Sequence, residues 1–312
     1  MSEQLVSIAM CTYNGAKYLK PQLDSILRQT YANLELVVFD DCSTDETWSI
    51  LEEYAQRDHR IRIFYNDRNV GFVKNFENAI AECRGELIAL ADQDDVWLEQ
   101  KITALVEDIG DNLLIYSRVS LIGPNGEGLD EEFPGKSVRR LDGDCALALV
   151  LGNCVTGHAC LIRRELFEKA RQSLSAMRYH DQWLAIVAAA EGRLKAGNEV
   201  LSYYRLHNNN VVFKNKKKRK EHKYLAVMNK LNGQLAFLRA VSQANVLNSH
   251  QRALLDELCE LLAQNERSFF NFKLRRFLRR HKSTFLRVFS NEEKVIGRMC
   301  RGKWYFFFIP FA

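Results

Sequence analysis

The sequence predicts an α/β fold: a doubly wound, mostly parallel sheet with helices on both faces, followed by a basic α-helical C-terminal region. Three observations point there. Short β-like runs alternate with segments of helical pattern in the first half of the chain, as parallel βαβ crossovers require. Polar clusters follow several of those runs directly, at the sheet edge where such folds bind ligands. Charge then divides the chain. Residues 1–213 hold 22 Lys and Arg against 32 Asp and Glu, a net of −10, and residues 214–312 hold 22 against 7, a net of +15. One domain is therefore expected over 1–213 and a second region over 214–312.

In order, the expected strands are VSIAM (6–10), LELVVF (34–39), IRIFYN (61–66), ELIALA (86–91) and LLIYSRV (113–119). Helical patterns lie between them near 16–29, 44–57, 72–83 and 97–109. Hydrophobic residues make up 47% of the chain and charged residues 27%, a soluble globular balance. The start, MSEQLVSIAMCTYNG, lacks the basic region of a signal peptide, and no run approaches the ~18 apolar residues of a membrane span. Eight scattered cysteines without a C-x-x-C pair suit reduced thiols in a cytoplasm.

The polar loops carry the chemistry. CTYNG follows the first strand, DDCSTDET the second, and DQDD the fourth. Ser43 and Glu46 have capping-box spacing, which leaves Asp40 and Asp41 unexplained. Asn14-Gly15 is a turn signal, and NDRNVGFVKNF (66–76) reads as a turn entering a helix at Phe72. DQDD puts three carboxylates into four positions. Crowding that much negative charge is costly without a positive partner. Carboxylates at i and i+2 on a turn can share a hard divalent cation, Mg²⁺ or Mn²⁺, whose other positions substrate phosphates fill.

The motifs occur in the order SIAMCTYNG, YLKPQLDSILRQTYANLELVVFDDCSTDET, NVGFVKNF and GELIALADQDDVW. This order resembles the family-two inverting glycosyltransferases with the GT-A fold, over roughly residues 4–210. Among them it is most similar to bacterial polysaccharide and O-antigen transferases, including rhamnosyltransferases. The resemblance implies that Tyr13 and Asp41, with Thr12 and Asn14 beside them, hold the nucleotide, and that Lys74 and Asn75 contact the donor. It implies Asp92 and Asp94 as the metal and diphosphate motif, with His207 of YYRLHNNN as a further metal ligand. GNCVTGHACLIRREL (152–166), with Gly157 and His158, resembles the segment lining the acceptor side. YHDQWLAIVAAAEG (179–192) resembles the helix start whose Asp, here Asp181, is the general base, with Trp183 beside it on the acceptor side. From the residues alone, Asp181 reads first as a helix N-cap, ahead of a catalytic role.

The implied activity moves one sugar from a nucleoside-diphosphate sugar, dTDP-rhamnose or a UDP-hexose, to a growing, lipid-linked surface glycan. Seven bases fall within Lys214–Lys223, and SFFNFKLRRFLRRHK (268–282) interleaves phenylalanines with arginines. A basic amphipathic helix of this kind suits an anionic membrane surface, and the aromatics of KWYFFFIPF (303–311) suit its interface. The expected location is cytoplasmic, peripheral on the inner face of the plasma membrane, without nucleic acid as a partner. Two alternatives remain open: a nucleotidyltransferase that makes nucleotide sugars, and a basic membrane or nucleic-acid adaptor with a non-catalytic α/β domain.

Overall fold

The computed structural model describes residues 4–208, 210 and 223–301, with the backbone alone for 223–231, 266 and 267. The basic run before Lys223 and the aromatic segment 303–311 lie outside the described residues. The chain forms two compact units. The first holds residues up to Gly135, Asp142–Asp144 and Val155–Leu206, and the second holds Lys136–Leu141, Cys145–Cys154 and the chain from His207 onward.

The first unit begins β1 (Val6–Thr12), α1 (Ala16–Leu27), β2 (Leu34–Asp40), α2 (Thr47–Arg57), β3 (Ile61–Tyr65), α3 (Phe72–Glu82) and β4 (Leu87–Asp92). It continues with β5 (Val96–Trp97), α4 (Lys101–Asp108), β6 (Leu114–Ile122) and β7 (Gly128–Phe133). A single turn of helix, α5 (Ala146–Leu149), belongs to the second unit. Then come β8 (Cys160–Arg163), α6 (Arg164–Leu174), α7 (His180–Ala190) and β9 (Leu194–Arg205). The sheet order is β3-β2-β1-β4-β8-β6-β9-β5, with β7 paired to β6. Pairing is parallel across β3-β2-β1-β4 and between β6 and β9. β5, β7 and β8 run against the rest, so six of the nine strands point one way. The mostly parallel α/β sheet anticipated from sequence is present.

Residues Val6–Met10 of β1 are all fully buried, because the sheet is covered on both faces. On one face Ile8, Met10, Leu36, Val38 and Ala89 pack with Leu19, Leu23 and Ile26 of α1. Phe76, Ala79 and Ile80 of α3 are buried where that helix packs on β1 and β2.

Two local expectations fail for identifiable reasons. Ser43 does not cap α2, since its N–H and Oγ–H both donate to Asp40, at 2.8 and 2.6 Å. Asp45 instead accepts from the Thr47 N–H at 3.0 Å, and the helix starts at Thr47. The helix expected from residue 97 begins at Lys101, because Val96 and Trp97 pair with Tyr203 and Ser202 of β9.

The described part of the second unit contains α8 (Lys223–Gln243), α9 (Ser249–Ala263), α10 (Phe272–Arg280), α11 (Lys282–Phe285) and α12 (Glu292–Met299). A capping box joins Asn248 and Gln251 at the start of α9. In α10, Leu274, Phe277 and Leu278 are buried, and the Phe277 ring lies 5.7 Å from that of Phe285. The apolar face of this basic helix is therefore occupied by packing inside the unit. Phe272, Lys273, Arg276, Arg279 and Arg280 face outward. Among the described residues, no helix is long and apolar enough to cross a membrane.

Candidate active site

Strand register assembles the site. Cys11 of β1 lies opposite Asp92 of β4, and Thr12 lies opposite Asp40 of β2. The three polar loops therefore emerge together from the carboxyl ends of adjacent parallel strands.

Asp40 and Asp41 are buried, and each is fully supplied with donors. Asp40 accepts from Thr12 Oγ1 at 2.7 Å as well as from Ser43. Asp41 accepts from the Val70 N–H at 2.8 Å, Asn66 Nδ2 at 3.0 Å and the Gly71 N–H at 2.9 Å. Gly71 has φ +84°, a left-handed conformation that favours glycine. Asn75 is buried behind this turn, accepting from Asn66 at 2.7 Å and donating to the Phe39 carbonyl at 2.8 Å. Asp41 and Asn75 thus fix the 66–71 turn. Lys74 is half-exposed and pairs with Glu77 at 3.0 Å.

On the first loop Tyr13 is exposed, and Asn14 adopts φ +48°. Asn14 donates its N–H to Ser43 Oγ and accepts from the Thr44 N–H, both at 2.8 Å. Gln93 ties this loop to the fourth, accepting the Tyr13 N–H at 2.8 Å and donating to the Tyr13 carbonyl at 3.1 Å. Its side chain occupies the space a Cβ on Gly15 would need, with Oε1 only 2.1 Å away.

The fourth loop answers the charge problem from within. Asp95 and His158 are both fully buried. His158 Nδ1 lies 3.0 Å from Asp95 Oδ2 and 3.7 Å from Asp92 Oδ2. The imidazole stacks on Tyr204 at 5.3 Å, and Asp95 also accepts the Arg205 N–H at 3.1 Å. Burial alone would lower the pKa of His158, but Asp95 and Asp92 override it and hold it at about 9. Burial likewise opposes ionisation of Asp92, yet the His158 contact keeps that carboxyl below its ordinary range. Lys101, fully buried, donates its ammonium to the His158 carbonyl and lies 3.7 Å over the Trp97 ring. Burial lowers its pKa to about 7 against the pull of Asp95. Asp94, in the same turn, accepts Arg205 Nε at its carbonyl, at 2.9 Å.

Ligand atoms of Asp92, Asp95 and His158 all lie within 4.8 Å of one another. With His158 protonated between Asp95 and Asp92, the carboxylate oxygens of this cluster are the atoms that suit Mn²⁺ or Mg²⁺. Only Asp92, its side chain 38% exposed, reaches solvent.

Asp181 lies in the first turn of α7, whose N-cap is Tyr179, so the N-cap alternative for Asp181 does not hold. It accepts the Gln182 N–H at 2.6 Å. Burial raises its pKa above the ordinary carboxylate value, against His180 and the Gln182 and Gly157 amides; the charge of Asp92 adds to the rise. His180 is buried against Phe76, ring centroids 4.0 Å apart, and burial lowers its pKa. A Cβ on Gly157 would fall 2.8 Å from His180 Nε2, so glycine permits this approach.

Trp183 departs from its expected place on the acceptor side. It is fully buried and donates Nε1–H to the Ala170 carbonyl at 2.9 Å, anchoring α7 to α6. His207 belongs to the second unit, where its N–H donates to Asn210 Oδ1 at 2.6 Å. Sequence reasoning gave no role to Asp95, Lys101 or His180. Asp95 was visible as the last carboxylate of DQDD, and His180 as the residue before Asp181. A lone lysine at a helix start carries no signal.

The profile of glycosyl transferase family 2 matches residues 7–171. The putative teichuronic acid biosynthesis glycosyltransferase TuaG of Bacillus subtilis is 29% identical over 210 residues, 66% of this chain and 81% of its own. The Escherichia coli UDP-Glc:alpha-D-GlcNAc-diphosphoundecaprenol beta-1,3-glucosyltransferase WfgD is 37% identical over 102 residues, 33% of this chain and 40% of its own. Among solved structures, S. aureus TarS 1–349 in complex with UDP superposes with a TM-score of 0.54 at 19% identity, covering 80% of this chain and 86% of that one. That likeness concerns the fold.

Proposed function

The chain belongs to glycosyl transferase family 2, and on that premise we propose that it transfers a single sugar, with inversion, from a nucleoside-diphosphate sugar to a lipid-linked surface glycan. The observation that carries this reading is two carboxylates in unlike environments, Asp92 at the end of β4 and Asp181 in the first turn of α7. Asp92 is held below its ordinary pKa by His158, and Asp181, close enough to feel its charge, is raised by burial. Environments that push two acids apart suit one to cation and phosphate binding and the other to proton transfer.

In this reading Asp92 and Asp94 hold Mg²⁺ or Mn²⁺, with Asp95 and His158 orienting Asp92 from behind. The His207 assignment rests on the Y-R-x-H resemblance. When bound, the cation neutralises charge on the departing diphosphate. Asp181 accepts the proton of the acceptor hydroxyl as its oxygen bonds to the sugar's anomeric carbon and the bond to the diphosphate breaks. Tyr13, with Thr12, Asn14 and Asp41 shaping the loops around it, borders the nucleotide, and Lys74 borders the donor, while Asn75, expected there too, is buried and holds the turn instead. Gly157 and His158, expected on the acceptor side, are buried and back the site from within, Gly157 admitting His180 and His158 pairing with Asp95.

The donor reading of a UDP-hexose draws support from the substrate in WfgD's name; dTDP-rhamnose rests on the sequence resemblance. That name also supports a diphosphopolyprenol acceptor. Such an acceptor implies work at the inner face of the plasma membrane. Exposed Phe269 and Phe272, with Lys273, Arg276 and Arg280, have the chemistry for an anionic surface. Family membership decides against the nucleotidyltransferase alternative. The test is transfer by Asp181→Asn: a loss of about 10²–10⁴-fold in rate with nucleotide binding retained is expected. Near-normal transfer would remove Asp181 from the mechanism.

A further inference from the structure

Beside Asp181 lies an aromatic surface that the roles above do not use. Phe72, the first residue of α3, is 37% exposed. Its ring centroid lies 6.2 Å from that of Tyr179, the planes 32° apart, and 6.0 Å from that of His180. Beneath them His180 stacks on Phe76, which is buried. His180 itself is only 6% exposed, and neither of its ring nitrogens has a hydrogen-bond partner among the described residues. Nε2 faces Gly157, where a Cβ would fall 2.8 Å away, so the ring serves this surface as a flat backing.

Hydrogen bonds anchor the start of this surface. Asp41 holds the N–H groups of Val70 and Gly71, directly before Phe72, and the Asn75 N–H donates to the Gly71 carbonyl at 3.0 Å. The next residue after the His180 ring is the candidate base itself. Water gains nothing from a fixed, partly exposed phenylalanine, whereas the apolar C–H face of a pyranose does. Small-molecule sites combine such aromatic walls with a few polar groups.

We propose that Phe72 and Tyr179, backed by His180, form a stacking subsite for a pyranose ring of the acceptor glycan, placing its hydroxyl toward Asp181. This rests on the reading of Asp181 as the base. The same chemistry could take the donor's sugar or its base, and the test separates these sources.

Full-length protein is titrated with methyl α-D-glucopyranoside and methyl N-acetyl-α-D-glucosaminide under saturation-transfer NMR, and separately with UDP plus Mn²⁺ by calorimetry. In the wild type, transfer to pyranoside ring protons is expected. Phe72→Ala should weaken pyranoside binding about 10-fold, as loss of a good aromatic contact does. Phe72→Trp should retain it, and UDP affinity should stay within about twofold. Phe72 is exposed enough for the variant to keep its melting temperature, which is checked alongside. Absence of a pyranoside signal in the wild type, or unchanged pyranoside binding in both Phe72→Ala and Tyr179→Ala, would overturn the subsite. Loss of UDP affinity with the pyranoside signal intact would assign the platform to the donor and likewise overturn it. Failure of the wild type to bind either UDP or dTDP is a different result, which counts against the proposed function.

Discussion

Asp95 and His158 face each other fully buried, and removing one leaves the other charged in a dry place. His158→Gln should cost roughly 3–5 kcal/mol, the range for breaking a buried pair, read by urea unfolding in the presence of chelator. The pH dependence has a defined sign. The folded pKa of His158, about 9, exceeds its ordinary 6.5, so its stabilising contribution is full below pH 6.5 and lost as pH rises through about 9. Lys101, lowered to about 7 from 10.5, imposes the opposite trend above pH 7. The stability gap between wild type and His158→Gln isolates the first group; it should be widest below pH 6.5 and close toward pH 9. A gap independent of pH would contradict the ion pair. Asp181 gives a second residue-scale expectation. Its pKa is raised above 3.8, so transfer should fall, as pH is lowered, along an acid limb displaced above that value. The limb should vanish from the residual activity of Asp181→Asn.

At the scale of elements, α10 separates packing from surface contact. Phe277 is buried and Arg276 and Arg280 are exposed. Phe277→Ala should destabilise by about 3–5 kcal/mol. The charge reversals Arg276→Glu and Arg280→Glu should leave the melting temperature nearly unchanged while weakening binding to anionic vesicles, each base contributing ~1 kcal/mol. Vesicle binding indifferent to both reversals would remove this face from the membrane reading. Four helices and five strands of the first unit were legible, because apolar runs of strand length between helical segments admit few other arrangements. β5 escaped notice because two residues make no pattern and pairing with distant β9 defines it. The Ser43 cap failed because Asp40, a buried carboxylate, took both of its hydrogens.

Over the whole molecule, the sequence placed the site through its loops, and the register of β1, β2 and β4 explains why that works: residues at strand ends in a parallel sheet arrive at one edge together. What it could not supply was the far side of the charge balance. His158 and Lys101 come from separate segments and meet Asp95 only in three dimensions, and nothing in a lone histidine or lysine announces that. Trp183 misled for the related reason that a motif neighbour of Asp181 on a helix points the opposite way, into the core.

The central claim is that this edge activates a nucleotide sugar with help from a divalent cation. Its most direct test is release of nucleoside diphosphate from UDP-glucose, UDP-N-acetylglucosamine, UDP-galactose and dTDP-rhamnose, measured with Mn²⁺, with Mg²⁺ and with excess EDTA, for wild type and Asp92→Ala. Release from at least one donor with a cation present, abolished by EDTA and in Asp92→Ala, is expected. Release undiminished by EDTA, or no release from any donor by folded wild-type protein, would contradict the account.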